Sequence, residues 1–90
     1  MVALDRLELT GLTYCPVRAT VEYTFLADGT ERRFAGKVKE SEIRGVSLTM
    51  KCQEFLVSTT LDVPRLMQAI VRLTLRCVDG VLPDLPVRLI

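Results

Sequence analysis

The residues able to do chemistry in this chain are few, and their types restrict what that chemistry can be. Twelve Lys and Arg side chains stand against eleven Asp and Glu, and there is no histidine. A chain without imidazole lacks the commonest general base near neutral pH and the commonest metal ligand. A serine nucleophile would then need a lysine, a carboxylate or an amino terminus as its base. Ser41, Ser47 and Ser58 have no such neighbour in the strand register derived below. Glu40 and Glu42 share a face of an extended strand, where two carboxylates are more simply solvated than poised for acid–base work. Cys15, Cys52 and Cys77 lie 37 and 25 positions apart, unlike any paired zinc or redox motif. They read as small buried hydrophobes in the reduced state. The five glycines stand singly, so no glycine-rich loop cradles a phosphate. No enzyme activity, metal or cofactor is expected.

What remains is a cationic stretch, Glu31-Arg32-Arg33 followed by Lys37-Val38-Lys39-Glu40. One reading makes it the wet face of a hairpin, whose charges discourage unwanted strand pairing. The other makes it a cationic rim that meets an anionic ligand or the acidic residues of a partner. A net charge of only +1 argues against nucleic acid, whose binders carry a clustered basic excess. No apolar run approaches the roughly 18 residues of a membrane-spanning helix. The start, Met1-Val2-Ala3-Leu4-Asp5-Arg6, also lacks the pattern of a signal peptide. A cytoplasmic protein without membrane insertion is expected.

The elements that must position these residues are announced by alternation with period two. Ala19, Val21, Tyr23, Phe25 and Ala27 fall on one face of a strand, with Thr20, Glu22, Thr24 and Asp28 on the other. Asp28-Gly29 then supplies the dipeptide preferred in two-residue hairpin turns, where both residues need positive φ. Folding there pairs Tyr23 with Phe34, Val21 with Gly36 and Ala19 with Val38 on the core side. Thr24 meets Arg33 and Thr20 meets Lys37 on the wet side. Gly45 breaks the chain before Val46, Leu48 and Met50, and Phe55, Val57, Thr59 and Leu61 read as the next strand. Asp62-Val63-Pro64 has the form of a helix start, giving a short helical turn over Pro64–Gln68. Ala69, Val71, Leu73, Leu75 and Cys77 then alternate as a strand up to a second turn at Asp79-Gly80. A return strand at Val81-Leu82 follows, interrupted by Pro83 and Pro86. Another strand is read over Val2–Leu9. Six or seven short antiparallel strands predict one all-β domain spanning residues 1–90, a small barrel or sandwich with at most one short helix near 64–68.

The stretch Pro16–Met50 resembles a PilZ domain, a small β-barrel family associated with binding cyclic di-GMP. The resemblance covers Val17-Arg18-Ala19-Thr20-Val21-Glu22-Tyr23 as the first barrel strand, the Asp28-Gly29 turn, Phe34-Ala35-Gly36-Lys37-Val38 and Gly45-Val46-Ser47-Leu48. It departs from the family where ligand chemistry resides. Counting back from Gly45, Glu40 occupies the acidic position of the family's Asp/Asn-x-Ser-x-x-Gly motif, and Glu42 stands where its Ser belongs. Ser41 fits only with one inserted residue. The paired arginines ahead of the barrel are missing, and Arg18 alone is nearby. An anionic dinucleotide needs clustered guanidinium groups on its phosphates, and Glu42 would repel it. The resemblance therefore implies a degenerate member that acts through protein contacts and does not bind cyclic di-GMP. Its candidate surface is Arg18, Arg32, Arg33, Glu40, Ser41 and Gly45.

Composition adds a second expectation. Hydrophobic residues make up 49% of the chain, more than one core of this size readily absorbs. The excess points to self-association or a partner interface. It equally fits a structural subunit of a larger assembly, such as a virion decoration, tail or coat component.

Overall fold

The computed structural model describes residues 6–39, 45–59 and 62–89. The all-β expectation is corrected by two helices. Five antiparallel strands, β1 (Leu7–Cys15), β2 (Thr20–Ala27), β3 (Thr30–Lys39), β4 (Gly45–Leu48) and β5 (Val87–Arg88), form one sheet in the order β4-β3-β2-β1-β5. Two helices form as well: α1 (Met50–Thr59) replaces the strands read over 50–61, and α2 (Val63–Val78) begins at the expected helix start but continues through 69–78, read as a strand. The sheet curls into a half-barrel whose concave face takes the helices, so it is not a closed barrel of six or seven strands. α2 packs against β1 and β4, and α1 packs against β3 and α2.

The central hairpin forms as its alternation requires. Tyr23 pairs with Phe34, Val21 with Gly36, Thr24 with Arg33 and Thr20 with Lys37. Asp28 and Gly29 both take positive φ, 48° and 87°, the mirror-image turn that matches the right-handed twist of the strands. Ala19 meets Val38 as expected, but through one bond from just outside the ladder. It turns to φ 52° ahead of β2, and the Val38 N–H donates to its carbonyl at 2.8 Å. Val21, Tyr23, Phe25 and Ala27 are all buried on the concave face.

β1 is displaced from the expected Val2–Leu9, of which residues 2–5 lie outside the described residues. Its register against β2 shifts between Leu9 and Gly11, and the extra residue is Thr10. That bulge adds one step to the alternation, so Leu7, Leu9, Leu12 and Tyr14 all reach the core at spacings of two, three and two.

Local sequence also accounts for the helices. The Thr49 carbonyl accepts from the Gln53 N–H at 3.0 Å, and its hydroxyl accepts from the Cys52 N–H at 3.3 Å, an N-cap for α1. Cys52, Leu56 and Thr59 then bury at helical spacing, and Phe55 stacks on Phe34 with ring centroids 4.9 Å apart. In α2, Leu66, Ile70, Thr74 and Cys77 bury at steps of four, four and three. Asp79-Gly80 ends this helix rather than turning a hairpin. The Val81 N–H donates to the Arg76 carbonyl at 2.9 Å and the Gly80 N–H to the Cys77 carbonyl at 3.1 Å, with Gly80 at φ 88°. These are the bonds of a Schellman stop. No strand forms at Val81-Leu82. The chain returns to the sheet only at β5, which pairs Val87 with Leu9 and Arg88 with Glu8.

A buried side-chain hydrogen bond ties β2 to α2. The Thr74 hydroxyl donates to the Ile70 carbonyl at 2.7 Å, so its single proton is used. It therefore accepts from the buried Tyr23 hydroxyl at 2.6 Å. Both groups lie in the interior, where an unmet hydroxyl would cost about 1–3 kcal/mol.

Candidate functional site

The residues singled out from sequence do not converge. Arg18 is exposed in the turn before β2, and Gly45 opens β4 opposite Lys39 at the same end of the sheet. Arg32 and Arg33 lie toward the other end, opposite Phe25 and Thr24. Thr20, the first paired residue after Arg18, is five strand positions, or about 17 Å, from Phe25. Arg32 and Arg33 also point to opposite faces of the sheet, as neighbours on a strand must. Arg33 is already paired, its Nε 3.0 Å from a Glu31 carboxylate oxygen. Glu40 and Ser41 fall outside the described residues.

A different cationic surface is built by α2. Arg65, Arg72 and Arg76 are exposed. At steps of seven and four residues they fall within about 40° of one another around the helix. Along the axis they are separated by about 10.5 and 6 Å. They border a groove of about 610 Å³ between α2 and β5, whose second side carries Arg88. Its floor is apolar: Leu66 is buried, and Leu73, Val87 and Leu89 are partly buried against the core. Among the described residues, Asp62, at the head of α2, is the one carboxylate that lines it. Among the described residues Arg65, Arg72 and Arg76 form no ion pair. Like charges at the four-residue spacing of Arg72 and Arg76 weaken a helix by a few tenths of a kcal/mol. An anion in the groove would relieve that repulsion, and each guanidinium presents a planar fork that matches a carboxylate.

Reading 69–78 as a strand hid this surface. Arg72, Thr74 and Arg76 then share an ordinary wet face, and Arg65 belongs to a separate turn. The signal that locates the groove is Leu66, Ile70, Leu73 and Cys77 at helical spacing, with the arginines on the adjoining stripe.

Elsewhere two groups of the interior, Tyr23 and Cys52, are held neutral. Burial pushes the Tyr23 phenol up to about 12, against a smaller lowering by its bond to Thr74. It pushes the Cys52 thiol up to about 11, away from the thiolate a nucleophile requires. Cys15, Cys52 and Cys77 are all free thiols, the latter two buried. Among the described residues no three His, Cys, Asp or Glu side chains gather to hold a metal. No helix among them is long and apolar enough to cross a membrane.

No family model matches this chain, and no curated protein matches it.

Proposed function

We propose that this chain is a non-catalytic binding domain that acts through protein contacts and docks an acidic segment of a partner in the α2–β5 groove. The observation that carries the reading is the row Arg65, Arg72 and Arg76, unpaired among the described residues and set over an apolar floor. Carboxylates supply the missing counter-charges, and the floor gains from being dried. The likeness of Pro16–Met50 to a degenerate PilZ domain agrees with a protein-binding role, in a cytoplasmic setting. In that reading cyclic di-GMP is not the ligand, because Glu42 stands where the family's Ser belongs and the paired arginines ahead of the barrel are missing.

The test is fluorescence anisotropy with a labelled glutamate heptapeptide, using a lysine heptapeptide as control. The intact protein should bind the acidic peptide alone. Arg72→Glu with Arg76→Glu should weaken it at least about tenfold, and Arg32→Glu with Arg33→Glu by less than about twofold. Equal losses in the two double variants, or no binding at all, would defeat the proposal.

A structural subunit of a larger assembly is the second reading. It is favoured by Val17, Met50 and Leu82, which are 93%, 71% and 73% exposed. Light scattering after size exclusion decides it. A monomer mass that holds across concentration counts against self-assembly, and a concentration-driven rise to a ring supports it.

A further inference from the structure

A second hollow opens where the arginine row ends. It has a volume of about 400 Å³ and shares Leu73, Arg76 and Val87 in its lining with the first, so the two hollows adjoin along one channel-like path beside α2. Its character is different. Val81, Leu82 and Pro83 line it, and Val81 and Leu82 are 56% and 73% exposed. Val81 is fixed there by its hydrogen bond to the Arg76 carbonyl. Asp84 stands at the same end and repels a further carboxylate. The channel thus passes from cationic along α2 to apolar with an acidic edge beyond its last turn.

We infer that this channel takes an extended peptide segment of a partner protein, acidic along the Arg65–Arg76 row and ending in an apolar anchor beside Val81 and Leu82. The inference rests on the protein-binding reading above and adds the chemistry and length of the segment. Arg65 and Arg76 are about 16.5 Å apart along the helix. An extended chain at about 3.3 Å per residue covers that distance in five residues and reaches the second hollow in two or three more. A uniform polyanion such as a nucleic acid would set phosphate against Asp84 and leave Leu82 in water. A lipid surface is flat and would not reach the floor between α2 and β5.

The experiment uses labelled octapeptides and the full chain. Glu-Glu-Ser-Glu-Glu-Ser-Leu-Phe is compared with the same peptide ending in Ser-Ser, and both are also made in reversed order because the channel can be threaded either way. In one direction the Leu-Phe end should raise affinity about tenfold over Ser-Ser, the scale of one buried apolar side chain. Leu82→Ser should abolish that gain, and its thermal melt should match that of the unaltered protein because Leu82 is exposed. Arg72→Glu with Arg76→Glu should abolish binding of every peptide. If Leu-Phe and Ser-Ser peptides bind alike in both directions, the anchor is refuted while the acidic-segment reading stands. If no acidic peptide binds, both fall. Binding of a thymidine 16-mer or of phosphatidylserine vesicles at equal affinity, lost in the arginine variant, would reassign the channel to a polyanion and overturn the peptide.

Discussion

Two parts of the molecule carry clustered arginines, and they make different use of them. On β3, Arg32 and Arg33 are adjacent in sequence, yet the pleat sends them to opposite faces and Glu31 engages the second. On α2, Arg65, Arg72 and Arg76 are scattered over 12 positions, yet the helix gathers them on one stripe above a groove. Proximity in sequence is therefore a poor guide to a charged site. The period of the element decides which charges act together, and a concave apolar floor decides whether they can hold anything.

The largest effect should come where the two regions meet. Tyr23 belongs to the hairpin and bonds Thr74 of α2, so Tyr23→Ala should cost about 3–5 kcal/mol. Amide protection should fall in β2 and α2 together. Loss confined to one would show that the regions fold separately. Gly36→Val should act on the hairpin side alone. A Cβ at Gly36 would sit 3.1 Å from the Ser47 carbonyl oxygen, 3.2 Å from Leu48 Cδ2 and 3.4 Å from a Tyr23 ring carbon. The expected cost is about 1–3 kcal/mol in urea titration, with peptide affinity at the groove retained. An unchanged midpoint would mean that β4 yields freely.

Tyr23→Phe should cost about 0.5–1.5 kcal/mol at neutral pH, and it has a signature in alkali. The Tyr23 phenol is raised from 10.0 to about 12 and the Cys52 thiol from 9.0 to about 11. Both ionise first in the unfolded chain, so stability is full below pH 9 and falls as pH rises from there toward 12. Tyr23→Phe should remove the phenol's share of that fall, which runs from pH 10 to about 12, and leave the share of Cys52, which runs from pH 9 to about 11. Parallel curves for the two proteins would place the phenol in water. Smallest of all, the two double arginine reversals should each shift stability by no more than about 0.5 kcal/mol. They should then differ only in peptide binding, which isolates the comparison from folding.

The hairpin was legible because one of its faces is wet and the other dry, so alternation admits a single register. The helices were not legible, although the information was present. Phe55, Val57 and Thr59 alternate, but Val57 is 56% exposed, while Cys52, Leu56 and Thr59 are the positions that bury. In α2, Ala69 adjoins the main stripe while Val71 and Leu75 lie on the far side of the helix; all three are half-buried, and apolar residues on both sides mimic a strand's alternation. The preference of Val and Thr for strands yields to this packing. Asp-Gly was equally ambiguous. Gly29 and Gly80 share a positive φ, and only the aspartate differs, at 48° in the hairpin and −81° at the helix end. With 50–59 and 63–78 helical, the sheet lacks the strands a closed barrel needs, and the arginine row emerges only at the helical period.

The bond between Tyr23 and Thr74 also bears on the order of folding, because it spans 51 residues. The β2–β3 hairpin closes across a two-residue turn, an event of about 1–10 μs. Bringing Thr74 to Tyr23 must overcome the entropy of a far longer loop. The helical layer should then dock late, onto strands already paired. Thr74→Val should speed unfolding and leave the refolding limb of the chevron in place, whereas a slowed refolding limb would put the helix in the nucleus. On this account the buried hydroxyl pair governs how long the folded molecule lasts between openings, and not how quickly it is reached.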